Sequence, residues 1–220
     1  MFKSYIWTLP TRAFHMIFAI LIFICFITDD EDFITIHAIA GYLLLVPFFF
    51  RIGWGFFGPK YSKFKDFPLS FKKLKEFILS TFDKKNSYIG HNPPASFVML
   101  TMIIIIPIIV FTGALTFGAE ESRGIFSALS ENDFLKDIHE FFGNFMLFLI
   151  FIHLAGVVFD KLLHPEEGTL SSIFKGYKNT KKEESTKLNI FHKIYSTLFL
   201  ILFIALVIYL IFNNTNPFIN

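Results

Sequence analysis

The stretch HEFFGNFMLFLIFIHLAGV, residues 139–157, decides the fold of this chain. It begins at His139, reaches His153 fourteen residues later, and has no Lys, Arg, Asp or Glu after Glu140. About 20 apolar residues in a helix cover the hydrocarbon of a bilayer. The stretch is therefore typical of a helix that crosses a membrane and carries two imidazoles.

The composition of the whole chain agrees with a membrane protein. Of its 220 residues, 54% are hydrophobic and only 17% are charged, and 33 are Phe. Soluble domains carry about 25% charged residues, so much of the apolar surface must face lipid. Disorder, a disulfide scaffold and nucleic-acid binding are excluded as main interpretations. The single Cys25 cannot form an internal disulfide, and no C-x-x-C-H motif for covalent haem is present.

The apolar runs predict an all-α integral membrane helical bundle with no competing strand pattern. The first run is not a cleavable signal, because it lacks a small-residue cleavage site and leads directly into the next run. The expected spans cover about residues 10–28, 33–50, 95–119, 134–159 and 191–212.

Charges between the spans predict the orientation. Residues 51–94 hold nine Lys or Arg, and residues 160–189 hold six Lys, whereas residues 29–32 and 120–133 are mainly acidic. Basic connections stay in the cytoplasm. We therefore expect a multi-pass protein of the bacterial inner membrane, with a cytoplasmic N-terminus and a periplasmic C-terminus.

One segment of the first basic connection has a helical pattern. Residues 69–79 read LSFKKLKEFIL, with apolar and lysine positions at helical spacing. This pattern predicts a basic amphipathic helix on the anionic inner leaflet. An ordinary solvated connector is an equal alternative.

The apolar cores of the spans contain imidazoles but no Lys, Arg, Asp or Glu. His15, His37 and His153 lie within the cores, and His139 lies near the outer end of the fourth span. Ionisable groups in a membrane are costly and usually functional, and neutral imidazole is the commonest metal ligand. His139 and His153 project from nearly the same helix face, about 21 Å apart along the axis.

The predicted orientation pairs these histidines by depth. His15 and His153 lie in the cytoplasmic half, whereas His37 and His139 lie in the periplasmic half. Two ligands at each level suit the two axial positions of a haem iron. They suit zinc less well, because structural zinc takes four ligands and catalytic zinc takes three with water. We predict two bis-imidazole iron sites stacked across the bilayer, with transport of divalent metal ions as an alternative.

Small residues follow each histidine by three or four positions, on the same helix face. A flat macrocycle could lie against the backbone there, but small residues are also common where membrane helices pack. These residues are Ala19, Gly41, Gly143 and Gly156.

The order of several short motifs resembles the bacterial cytochrome b561 and nickel-iron hydrogenase b-type cytochrome family. The resemblance covers roughly residues 5–177. The motifs are Arg12-Ala13-Phe14-His15, His37 to Gly41-Tyr42, Arg51 to Trp54-Gly55, Gly90-His91-Asn92-Pro93, His139-Glu140, and His153 to Gly156-Val157.

The resemblance implies a four-helix core that holds two non-covalent b-type haems in residues 1–177. Its axial ligands would be His15, His37, His139 and His153. Residues 178–220 add a basic cytoplasmic linker and a fifth span. The implied function is electron transfer between membrane quinone and a protein partner, such as a hydrogenase or a c-type cytochrome. A stand-alone oxidoreductase acting on quinone or superoxide is the alternative, and no catalytic residue is predicted.

Other polar residues leave alternatives open. His91, with Asn92, would line a quinone pocket or cap a helix. Arg12 and Arg51 would pair with haem propionates or serve as positive-inside anchors. His164 and His192 are expected at the surface.

Overall fold

The computed structural model describes residues 1–80, 88–213 and 217–219. Residues 81–87 of the first basic connection, and residues 214–216 and 220 of the predicted C-terminal segment, lie outside the described residues. Helices dominate the described part of the chain. They are α1 (Leu9–Ile27), α2 (Ile34–Phe57), α3 (Phe71–Leu79), α4 (Pro93–Glu121), α5 (Asp133–Leu163), α6 (Thr169–Lys175) and α7 (Ile190–Phe212).

The predicted all-α membrane bundle is confirmed. Within the described residues, α1, α2, α4, α5 and α7 are long and apolar enough to cross a membrane. Helices α2 and α5 run on to Phe57 and Leu163, beyond the predicted ends near residues 50 and 159. Helical structure satisfies the backbone polar groups inside each segment, as lipid requires. The chain is a multi-pass membrane protein.

The structure adds one short strand pair that lies outside the predicted spans. Strand β1 (Phe2–Tyr5) pairs antiparallel with β2 (Tyr177–Thr180), in a register that places Phe2 opposite Thr180. The hydroxyls of Ser4 and Thr180 share a hydrogen bond of 2.6 Å. Each strand has only four residues, and the two strands lie far apart in the sequence. A local pattern therefore could not reveal the pair.

The chain divides into two compact units. Each unit combines three separate segments, because the long helices cross from one to the other. Unit 1 comprises Met1–Ala13, Arg51–Met102 and Phe148–Ile194, and unit 2 comprises Phe14–Phe50, Ile103–Leu147 and Tyr195–Asn220.

Two buried cations hold irregular backbone in unit 1. The Lys178 Nζ donates to the carbonyl oxygens of Tyr88 and Ile89, at 3.1 and 3.3 Å. Burial lowers the pKa of the Lys178 ammonium. The Arg51 guanidinium donates to Ser62 O at 3.2 Å. These side chains therefore donate hydrogen bonds to loop carbonyl groups that would otherwise lack a partner.

The linker after β2 packs against the N-terminal strand. The Glu184 carboxylate accepts hydrogen bonds from Lys60 Nζ at 2.5 Å and Tyr61 Oη at 2.8 Å. These bonds lower the pKa of the Glu184 carboxyl. The Thr186 N–H donates to Tyr5 O at 2.7 Å. The linker is thus part of unit 1, and the boundary expected after residue 177 falls inside β2.

The core of unit 2 includes the fifth long helix. Buried Leu21 of α1, Leu43 of α2 and Leu210 of α7 belong to one hydrophobic cluster. Ile219, beyond α7, is buried in the same cluster. Because α7 contributes core side chains, the fifth helix is integral to unit 2.

Two glycines flanking α6 provide a matched test of unit 1. Both have a left-handed backbone, with φ of +74° at Gly168 and +85° at Gly176. A Cβ at Gly176 would lie 2.8 Å from Trp7 O and 2.5 Å from the Tyr5 ring, whereas a Cβ at Gly168 would meet only Ser171 Oγ, at 3.1 Å.

We expect Gly176→Ala to destabilise unit 1 more than Gly168→Ala. Left-handed strain costs each variant about 1–2 kcal/mol, and overpacking adds about 1–3 kcal/mol at position 176 alone. Thermal unfolding followed by tryptophan fluorescence measures this, because both tryptophans, Trp7 and Trp54, lie in unit 1. Equal losses in the two variants would contradict the close contact with β1.

Candidate functional site

Two of the predicted histidines meet in unit 2. His37 lies in the first turn of α2, and His139 lies in the second turn of α5. Their ring centroids are 5.9 Å apart, and the ring planes meet at 74°. Two separate membrane helices thus bring one imidazole each to a common point.

A backbone carbonyl orients each of these rings. His37 Nδ1 lies 3.0 Å from Cys25 O, and His139 Nδ1 lies 2.9 Å from Ile109 O. A carbonyl oxygen only accepts hydrogen bonds, so each Nδ1 carries the proton. The lone pair of each neutral ring is then on Nε2, which is the arrangement of a metal-ligating histidine.

The spacing of the rings is one at which both imidazoles would bind the same metal ion. With metal–nitrogen bonds of about 2 Å, the ring centroids of such a pair lie roughly 6 Å apart. A tetrahedral site needs more ligands than this pair supplies. Among residues 1–80, 88–213 and 217–219, no group of three or more His, Cys, Asp and Glu side chains is placed to bind a metal.

Gly113 of α4 makes room for the His139 ring. A Cβ at this position would lie 2.6 Å from Cε1 and 2.9 Å from Nδ1 of His139. Gly113 is one turn beyond Ile109, so the same stretch of α4 both admits the ring and accepts its hydrogen bond. The sequence analysis missed Gly113, although a glycine within an apolar span was a visible signal.

Open space lies beside the small residues that follow these histidines. A Cβ added at Gly41 or Gly143 would meet no described atom within 4 Å. Each glycine lies one turn beyond its histidine, on the same helix face. The two helices therefore offer bare backbone against which a flat ring fits.

The other two histidines lie in different units. His15 belongs to α1 in unit 2, and His153 belongs to α5 in unit 1. Both side chains are half-buried. Gly156, near His153, also has no described atom within 4 Å of an added Cβ. The pairing of His15 with His153 stays a prediction.

The prediction that His164 and His192 lie at the surface is wrong. His192 is 8% exposed, and its Nε2 donates to Phe57 O at 2.9 Å. The side chain of His164 is 11% exposed, with Nδ1 3.3 Å from Asp160 Oδ1. His192 packs against Trp54 at the end of α2, and the local sequence does not encode this distant contact.

His91 lines a cavity in unit 1. Its ring centroid lies 4.9 Å from that of Trp7 and 4.8 Å from that of Phe67. Asn92, not His91, supplies the side-chain cap of α4, because Asn92 Oδ1 accepts from Ala95 N–H at 2.9 Å. The cavity has a volume of about 400 Å³ and is lined by Lys60, Tyr61, Asp66, Pro68, Tyr88, Ile89, Gly90 and His91.

The two arginines near the span ends bond to backbone within unit 1. Arg12 Nη1 donates to Phe174 O. Arg51 is buried, and its guanidinium carbon lies 4.6 Å from the centroid of the Phe64 ring. Their predicted role toward haem propionates stays a prediction.

The comparisons with known proteins bear on this geometry. The family model described as prokaryotic cytochrome b561 matches residues 6–176. The searches of curated proteins and of solved structures found no match. The matched region contains all four span histidines, and the resemblance of the sequence motifs is confirmed. The chain therefore belongs to the prokaryotic cytochrome b561 family, whose members bind b-type haem and transfer electrons in the membrane.

Proposed function

We propose that the protein is a diheme cytochrome that carries electrons between membrane quinone and a protein redox partner. The meeting of His37 and His139 is the observation that carries this proposal. The second site would be formed by His15 and His153. When bound, a b-type haem supplies an iron that changes between the ferrous and ferric states.

The side chains of the His37–His139 site would hold the haem, and backbone hydrogen bonds would orient the two imidazole rings. His37 and His139 would hold one haem as its two protein ligands, and that ligation would leave no position for oxygen or a substrate. The hydrogen bonds to Cys25 O and Ile109 O fix each ring and raise the basicity of its Nε2. Cys25, Ala38 and Val110, which are or adjoin residues of this site, pack against the hydrophobic cluster of unit 2, and this packing would limit the access of water. This arrangement suits outer-sphere electron transfer.

The cavity beside His91 is the proposed quinone site. Its volume of about 400 Å³ lies within the usual range for small-molecule pockets, about 300–1,000 Å³. Aromatic side chains and hydrogen-bonding groups line it together, as an amphipathic ring ligand requires. Tyr61 and His91 would contact the headgroup.

The charges of the connections support a cytoplasmic N-terminus and a periplasmic C-terminus. The described parts of the basic connections belong to unit 1, whereas the acidic residues 29–32 join α1 to α2. Under the positive-inside rule, Lys182 of the linker faces the cytoplasm and Asp32 faces the periplasm.

Haem stoichiometry tests the two-site proposal. We expect two haems per chain in a pyridine haemochrome assay, and one in each of the variants His37→Ala, His139→Ala, His15→Ala and His153→Ala, because each loses one axial ligand. His164→Ala, a histidine outside the ligand set, should keep two. One haem in the wild type would refute the proposal. So would different residual spectra for His37→Ala and His139→Ala, because members of one pair must lose the same haem.

Gly113→Ala tests how α4 positions His139. The added methyl displaces the ring from Ile109 O, and loss of such an orienting contact typically weakens metal binding about 10- to 100-fold. We expect haem affinity of one site to fall within this range, and the other site to be unchanged, in a titration of apoprotein with haem. Ala205→Val, at an exposed position of α7, is the control. Unchanged affinity in Gly113→Ala would contradict the proposed contact.

Labelling of single cysteines tests the orientation. In a Cys25→Ala background, we expect a membrane-impermeant maleimide to label Asp32→Cys in intact cells and Lys182→Cys only after permeabilisation. Both positions are exposed, so accessibility depends on the side of the membrane. The reverse labelling pattern would overturn the proposed orientation.

A further inference from the structure

The segment between α2 and α4 contains a helix with an unusual mixture of exposed side chains. Helix α3 (Phe71–Leu79) begins after Ser70, whose Oγ accepts from Lys73 N–H at 3.5 Å. The sequence pattern left open whether this segment was helical or an irregular connector. The structure makes it a capped helix of nine residues.

One side of α3 packs into unit 1. Leu74 and Phe77 are half-buried, and the Phe77 ring centroid lies 5.9 Å from that of Tyr88. Other large apolar side chains of the helix stay exposed, with Phe71 80% exposed, Ile78 60% and Leu79 75%, and Phe71 and Ile78 lie beside the packed side rather than opposite it. A short surface helix with this much apolar exposure needs a partner surface.

A contact with the long apolar helix α4 fixes the position of α3 along that helix. The Phe71 and Phe97 ring centroids are 5.3 Å apart. Phe97 lies in the second turn of α4, which is one of the helices long and apolar enough to cross the membrane. The first residue of α3 is therefore held beside the second turn of α4, at the end where that helix would enter the hydrocarbon.

Lysines accompany the exposed apolar side chains. Lys72, Lys73 and Lys75 are exposed, and Glu76 is the only acid of the helix. Lysine side chains at an interface extend their ammonium groups to the headgroups while their stems stay against apolar surface. Each adds about fivefold to the affinity for an anionic leaflet.

We propose that α3 is an in-plane anchor that binds anionic phospholipid through Phe71, Ile78 and Leu79 with the neighbouring lysines. The apolar side chains enter the boundary between headgroups and acyl chains, and the lysines contact phosphate. A second protein copy would gain nothing from three lysines facing three lysines. The proposal rests on α4 being a span and does not depend on the haem sites.

Fluorescence of a label on α3 tests the proposal. The haem-loaded protein, in a Cys25→Ala background, carries Ile78→Cys labelled with a polarity-sensitive NBD group. It is placed in nanodiscs of phosphatidylcholine alone or of phosphatidylcholine with phosphatidylglycerol. We expect blue-shifted emission, quenched by spin-labelled lipid, in the anionic discs and much less in the neutral ones. Glu76→Cys, an exposed position on the polar side of the same helix, is the matched control and should remain in water.

Removal of the lysines tests the selectivity. In Lys72→Gln, Lys73→Gln, Lys75→Gln protein, we expect the ratio of docked to undocked label in anionic discs to fall on the order of 100-fold. Equal quenching in both lipids would overturn the anionic selectivity. Absence of quenching at position 78, or burial of the label that requires two chains per disc, would overturn the anchor itself. Haem content measured on the same samples keeps this result separate from the proposed function.

Discussion

In the hydrocarbon of a bilayer every polar group needs a partner inside the protein, and this constraint shapes each part of the chain. The five long helices satisfy their backbone groups within themselves. The imidazoles of His37 and His139 follow the same logic, because each donates its Nδ1 proton to a backbone carbonyl. A bare imidazole would be free to rotate. A bonded one presents Nε2 in a fixed direction, which is what a metal ligand requires.

The helix α4 shows how one segment can serve this need without supplying a ligand. Ile109 accepts the hydrogen bond, and Gly113 removes the side chain that would block the ring. The proposed pair of ligands therefore depends on a third helix. The chain belongs to the prokaryotic cytochrome b561 family, and this arrangement would let α4 tune a proposed haem ligand without replacing it.

Unit 1 meets the same constraint by different means. Its irregular backbone cannot satisfy itself as a helix does, so the side chains of Arg51, Lys178 and His192 donate to loop and helix-end carbonyls. The pairing of β1 with β2 joins the N-terminal segment to the linker before α7. Residues of this unit line the His91 cavity. Helix α3 of the same unit contacts the start of α4, and it carries exposed lysines and exposed apolar side chains.

The sequence by itself determined the five spans and the positions of the histidines along them, because span formation depends on local apolar length and helical periodicity. The family could also be identified from ordered short motifs. The sequence also predicted that His37 pairs with His139 by depth, but only the tertiary structure decided how close the two rings lie, that Gly113 admits one of them, and that His192 is buried. These features depend on the rotation and packing of segments far apart in the chain. Local periodicity contains no information about which faces of distant segments come into contact.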